Sequence, residues 1–197
     1  MARLTQQEVN VILETGQDLN FENDDLRDLD LSKKDLAGAN FTCADLSYAD
    51  LSEADLTDAI FVMANLSHTN MKGALLTRAN FSQANLWSTN LTNTRLQYTR
   101  FEKANLTGAC LQSSDCLDAI FTNANLTLTN FIDADLRNVN LAQANLTSSL
   151  LAGADLSEAT LLGAEMRTAI LKTKDKEGNL LHVNLKGAVM PDGSIHA

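Results

Sequence analysis

Residues 39–58 read Ala39-Asn40-Phe41-Thr42-Cys43, Ala44-Asp45-Leu46-Ser47-Tyr48, Ala49-Asp50-Leu51-Ser52-Glu53, Ala54-Asp55-Leu56-Thr57-Asp58: four successive units of five with one pattern. A period of five matches neither a helix at 3.6 nor a strand at two, so every unit must contain its own bend. Bends at a constant interval close a coil. Stepping by five in both directions from Phe41 meets an apolar centre at each of thirty-one positions from Phe21 to Leu171 without an insertion. The centres are twenty-one Leu, seven Phe, Met71, Met166 and Cys116. With 45% of the chain apolar, chance would give such a run with a probability of about 10⁻¹¹.

The neighbours of the centres are also patterned. Two residues before each centre the side chain is mostly small, with nineteen Ala, five Thr and two Ser, and the exceptions lie mainly in the first units, as Leu19, Asp24, Leu29 and Lys34. The residue just before the centre is mostly Asp or Asn. Six of the seven phenylalanines (Phe21, Phe41, Phe61, Phe81, Phe101 and Phe121) are spaced by twenty. Four units per turn of the coil put them in one column. Coils rise about 4.8 Å each, as neighbouring strands do, so close to eight coils predict a rod about 37 Å long.

The unbroken run of Ala-Asp/Asn-Leu units resembles the pentapeptide-repeat family, over about three quarters of the chain. The resemblance implies an all-β solenoid: a right-handed quadrilateral β-helix of about eight coils. The expected division is an N-terminal helical cap over 1–17, the repeat helix over 18–172, and a C-terminal turn and strand cap with tail over 173–197. At the N-terminus, Thr5 and Glu8 have the spacing of a capping box, Leu4 and Val9 that of a hydrophobic staple. Val9, Ile12 and Leu13 form an apolar stripe ahead of Gly16, which predicts a short helix plugging the first coil. After Leu171 the register breaks. Lys172 to Glu177 is charged, Gly178-Asn179 reads as a turn, Leu181, Val183 and Leu185 alternate, and centres return out of phase at Leu185 and Met190. The stretch from Gly187 to His196 resembles the endings of cyanobacterial members of the family, one of them associated with heterocyst differentiation.

Little in the sequence points to catalysis. A smooth rod offers no concave, dry site, and His68, His182 and His196 are far apart in the repeat register. Neither a catalytic residue, a metal ligand set nor a cofactor site is expected. The first eighteen residues lack the apolar stretch of a secretory signal, and no segment has the length and apolarity of a membrane span. Cys43, Cys110 and Cys116 are an odd set without metal-ligand spacing, which fits a reducing compartment, and the cytoplasm is the expected location. On the same ground Asn-x-Ser/Thr triplets at Asn40, Asn65, Asn90, Asn105, Asn125 and Asn145 read as by-products of the repeat. Asn65, Asn85, Asn105, Asn125 and Asn145, twenty apart, predict a ladder of side-chain amides. Asp115, Asp135, Asp155 and Asp175 form an acidic column that reads as solvated edge charge or, alternatively, as a bridge for a cation.

Charge is banded along the rod. Residues 18–58 hold twelve acids against Arg27, Lys33 and Lys34; residues 59–101 hold no acid and carry Lys72, Arg78, Arg95 and Arg100; residues 102–165 hold eight acids against Lys103 and Arg137. Some family members bind DNA gyrase by imitating duplex DNA, so the resemblance implies that as an alternative. Duplex DNA carries one charge per roughly 1.7 Å, whereas this chain has a net charge of −10 and a basic belt. It also lacks any loop insertion from Phe21 to Leu171. The same charge disfavours direct binding of nucleic acid. The leading expectation is a non-enzymatic scaffold or regulator, of cyanobacterial origin, that binds a protein partner. Tyr48 and His68 share an outward column, with Trp87 on the next turn, and these three are the candidate partner-binding residues, since exposed Trp and Tyr are enriched at interface hot spots.

Overall fold

A computed structural model describes residues 3–15, 18–171 and 184–196. Within the repeat every unit makes the same bend. The centre's carbonyl accepts a bond from the N–H three residues on, at 3.0 Å for both Leu36 to Ala39 and Phe81 to Ala84. The residue two after the centre has positive φ, from Asn23 at 62° to Thr168 at 57°. A four-residue turn with a left-handed third residue is type II. Glycine would be the easy choice there, yet only Gly38, Gly73, Gly108, Gly153 and Gly163 supply it among thirty such turns. The other positions hold side chains at a conformational cost of roughly 1–2 kcal/mol each.

Two sets of bonds offset that cost. The first is local. The Asp or Asn before the centre accepts the N–H two residues on, as in Thr42 to Asn40 at 3.0 Å and Ser82 to Asn80 at 3.0 Å, and a Ser or Thr there adds its hydroxyl at 2.6 Å. This Asx turn is the physical reason for Asp/Asn at that position. The second set joins coils. Parallel bridges link residues twenty apart from Asn20↔Asn40 to Leu150↔Ile170. In one unit Phe61 N–H donates to Asn80 O at 2.7 Å, Met63 N–H to Ser82 O at 3.1 Å, and Asn80 N–H to Ala59 O at 2.9 Å. Buried backbone groups are thereby paired from coil to coil.

A bend every five residues and pairing every twenty make a four-sided tube. Its first side carries the units centred on Phe21, Phe41 and onward by twenty, the second those from Leu26, the third those from Leu31 and the fourth those from Leu36. Centres and small residues point inward, and every centre from Phe21 to Met166 is buried. The six spaced phenylalanines stack as expected, with successive ring centroids 4.6–5.1 Å apart and planes within 9°. Phe131 of the third side closes on Phe121 edge to face at 6.0 Å. Four inward threonine hydroxyls are bonded too: Thr69, Thr89, Thr99 and Thr129 donate to the carbonyls of Leu46, Leu66, Leu76 and Leu106.

The N-terminal end is covered by α1 (Gln6–Thr15). The capping box forms, with Thr5 N–H donating to Glu8 Oε2 at 2.7 Å and Glu8 N–H to Thr5 Oγ1 at 3.3 Å. Val9 is fully buried and Leu4, Ile12 and Leu13 pack beside it against the core with Leu19 and Leu29. Gly16, the charged stretch 172–177, the Gly178-Asn179 turn and the strand positions Leu181 and Val183 lie outside the described residues. Beyond them Asn184 pairs with Thr160 and Val189 with Glu165. This offset of twenty-four is the physical form of the register break, and it returns Leu185 and Met190 to the core. Val189 then pairs antiparallel with Ile195.

A closed tube cannot collapse around a missing ring. Phe81→Ala should lower stability by about 3–5 kcal/mol in a denaturant titration. Gln83→Ala, at an exposed position without side-chain bonds, should change it by less than about 0.5 kcal/mol. Equal losses would show that the assignment of inside and outside is wrong.

Candidate functional site

Outward side chains are ordered in columns because each sits on a turn fixed by the coil below. On the second side the left-handed turn positions of successive coils are Asp28, Tyr48, His68 and Ser88, and Trp87 precedes the last. The three candidate residues are brought into one cluster. Tyr48 and His68 rings stack with centroids 4.8 Å apart and planes 15° apart, and Trp87 meets His68 edge-on at 4.6 Å and 75°. Tyr48 is 62% and Trp87 46% exposed. Trp87 closes one end of an aromatic row.

The row stands on a rigid base. Asn65 donates to Asp45 at 3.0 Å, Asn85 to Asn65 at 3.2 Å and Asn105 to Asn85 at 3.0 Å, through side-chain amides. The same Asn85 oxygen accepts the Trp87 N–H at 3.3 Å. The expected amide ladder thus runs from Asp45 to Asn105. Asn125 and Asn145 instead bond within their own turns, to Thr127 and Thr147. One apolar residue of this side, Leu128, is 59% exposed and was not singled out from the sequence, although its spacing of eighty from Tyr48 places it in the same column.

At the N-terminal end of the second side lie Asp25, Asp28 and Asp45. Arg27 donates two bonds to Asp25, at 2.8 and 2.6 Å, and its Nε lies 4.0 Å from Asp45; Arg3 reaches Asp28 at 3.8 Å. The side-chain bonds from Arg27 are the main reason that the Asp25 carboxyl falls from an ordinary 3.8 to about 2.

The fourth side carries the acidic column. Asp115 accepts from Gln97 and from the Leu117 N–H, Asp135 is bound by Arg137 at 2.6 Å, and Asp155 by Ser157 at 2.6 Å. Each carboxylate is engaged by neighbouring groups, which supports the edge-charge reading. Asp175 lies outside the described residues, and so does His182. No group of His, Cys, Asp and Glu among the described residues is arranged to hold a metal ion. A hollow of about 500 Å³ lies along α1, lined by Thr5, Gln7, Glu8, Val11 and Ile12, whose one carboxylate is committed to the helix cap. No helix among the described residues is long and apolar enough to cross a membrane.

This architecture defines a class: a closed four-sided solenoid of five-residue units whose interior is uniform and whose individuality lies outside. Two family models match it, one described as pentapeptide repeats (8 copies) over 20–58, 59–97 and 74–112, the other as a pentapeptide repeat region over 94–171. The chain belongs to the pentapeptide-repeat family. It is similar to the crystal structure of HetL, a pentapeptide repeat protein involved in heterocyst differentiation regulation from the cyanobacterium Nostoc sp. strain PCC 7120. They share 26% identity over 96% of this chain and 98% of that one, with a TM-score of 0.57. It is also similar in fold to QnrB1, a plasmid-mediated fluoroquinolone resistance protein, at 18% identity over 81% of this chain and 90% of that one, with a TM-score of 0.54. Comparison with curated proteins gives no match. The fold is accordingly the right-handed quadrilateral β-helix.

Two measurements follow from the local chemistry. Burial pushes the Cys116 thiol up to about 12, whereas Cys43 and Cys110 are half-buried. Thiol titration of the native protein should therefore leave Cys116 unmodified until denaturant is added; modification of Cys116 in the native state would place it outside the core. The second concerns Asp25, whose folded value lies below its unfolded one. Its stabilising bond is complete above about pH 4 and is lost as pH falls through about 2. Asp25→Asn should lower the melting temperature near neutrality and lose that effect toward pH 2. A difference that persists unchanged at pH 2 contradicts the assignment.

Proposed function

We propose that this protein is a non-enzymatic scaffold or regulator, acting in the cytoplasm of a cyanobacterium, that binds a protein partner through the outer faces of its β-helix of about eight coils at ~4.8 Å each. The single observation that carries this reading is the cluster of Tyr48, His68 and Trp87. In this tube the phenylalanines pack inside, where all seven are centres. Three rings joined on the outside, on a base of bonded amides, have no core to fill. Large rings that keep one polar atom are the anchors that dominate protein interfaces. The similarity to HetL, described as involved in the regulation of heterocyst differentiation, supports a regulatory partner.

The alternative, gyrase binding by DNA mimicry, draws on the acidic first coils and on the resemblance described above. The likeness to QnrB1 bears on fold alone at 18% identity. Against it stand the acid-free stretch 59–101 and bridges that continue from Asn20 to Ile170 at a spacing of twenty with no inserted loop.

Quantitative affinity capture from a cyanobacterial lysate, with wild type and Trp87→Ala as baits, separates these readings. The substitution should weaken capture of the specific partner by about 2 kcal/mol, or roughly thirtyfold, with an unchanged melting temperature. Unchanged capture with a lowered melting temperature would assign Trp87 to the scaffold. Inhibition of supercoiling by stoichiometric protein in a gyrase assay would favour the alternative.

A further inference from the structure

The second side is distinguished by what it lacks. From residue 64 its units read Ala64-Asn65-Leu66-Ser67-His68, Ala84-Asn85-Leu86-Trp87-Ser88, Ala104-Asn105-Leu106-Thr107-Gly108, Ala124-Asn125-Leu126-Thr127-Leu128 and Ala144-Asn145-Leu146-Thr147-Ser148. Five consecutive coils present no Asp, Glu, Lys or Arg on this side. The opposite, fourth side over the corresponding units carries eight: Arg78, Arg95, Asp115, Asp118, Asp135, Arg137, Asp155 and Glu158. In a chain that is 20% charged, such an asymmetry marks one face for water and the other for contact. Interface centres are depleted of charge because buried charges are costly to desolvate.

The shape of the strip restricts what can cover it. Five coils at about 4.8 Å make it ~24 Å long, and one side of the tube is ~10 Å wide, so it offers ~240 Å². A second copy laid flat against it would stay far below the ~800 Å² per partner of a stable interface. A single segment can bend round the corners of a square rod and gain area that a rigid face cannot. The charge at one end specifies the segment further. The uncharged strip runs into Asp45, Asp28 and Asp25, and Asp50 stands beside Tyr48 across the corner. The cations facing this end are Arg27 and Arg3, and Arg3 meets Asp28 only at 3.8 Å with both side chains more than 60% exposed. The whole stretch 18–58 retains twelve acids against three bases.

We propose that the second side from Tyr48 to Ser148 is the docking strip for one segment of a partner protein, uncharged along its body and cationic at the end lying over Asp28 and Asp45. The proposal rests on the reading of the rod as a protein-binding scaffold and names the chemistry of its partner. The aromatic row anchors the body, and the acidic end sets the direction. At the far end Glu165 and Arg167 face each other at 3.7 Å, so no net charge competes there.

The test uses random linear peptides displayed on phage, selected on the full-length protein and then measured as purified peptides by fluorescence anisotropy. Selected peptides should concentrate Lys and Arg at one end. Their affinity should fall at least about tenfold on Trp87→Ala, and similarly on Leu128→Lys, a position 59% exposed where a charge enters the strip without touching the core. Asp28→Asn combined with Asp45→Asn should flatten the dependence on salt. Tyr98→Ala, on the fourth side, should change nothing, and all variants should keep the wild-type melting temperature. Peptides that are acidic or charge-free at both ends, or indifferent to Leu128→Lys, overturn the proposal, as does a selection that yields none. Peptides lost on Tyr98→Ala but kept on Trp87→Ala overturn it as well, while leaving the scaffold reading to the capture experiment, which uses the native partner.

Discussion

The left-handed residue two positions after each centre is the constraint on which the rest of the molecule depends. It turns the chain by the same amount every five residues, so that four units return it to its starting direction one coil higher. Only then do Phe61 and Phe81 come into contact, and only then do backbone groups of one coil meet those of the next. The cost of holding Tyr48, His68 or Gln83 at positive φ is borne because each of these turns is bonded to the next coil, through N–H groups that donate to Ser67, Trp87 and Glu102 carbonyls at 2.9–3.1 Å. Stability in such an array is a sum of unit terms and nearest-neighbour interfaces. The tube ends are therefore its weak places, and both carry a different device: a capped helix at one and an antiparallel pair, Val189 with Ile195, at the other.

A fixed coil converts spacing in sequence into position on a surface. Residues twenty apart are neighbours, and a side's character can change from coil to coil without disturbing the bore. The second side shows this. Its inward residues are the same Ala and Leu as elsewhere, while outward it passes from carboxylates at Asp25 and Asp45 to a run of amides, with the aromatic row standing beside them. The Asn65, Asn85 and Asn105 ladder links these levels through bonds of 3.0–3.2 Å and holds the Trp87 backbone in place. Rigidity beneath exposed rings matters for recognition, since groups already fixed lose little freedom on binding.

Much of this was legible in the sequence because the interior has so few solutions. A bore lined by centres and small residues demands Phe21 to Leu171 in step, and the phenylalanine spacing supplies the coil length. The box of Thr5 with Glu8 declared the helix start. What could not be read arises where the backbone departs from residue preference. Asn, Asp, Lys, Tyr and Met occupy left-handed positions that composition alone would reserve for glycine, so the turn type was hidden. The offset of twenty-four between Thr160 and Asn184 was visible only as a lost period. On the outside, Tyr48, His68 and Trp87 could be aligned by counting, but the ring angles could not, nor could the end of the amide ladder at Asn105, where Asn125 and Asn145 keep the residue type yet bond within their turns.

The central claim is that the partner lies along the second side and not on the charged fourth side. Site-specific photo-crosslinking tests it most directly, with a benzophenone amino acid placed at Ser88 in one protein and at Tyr98 in another, each incubated with the captured partner. Crosslinks from position 88, with none above background from position 98, are the expected result. Crosslinks from position 98 with none from 88 would contradict it.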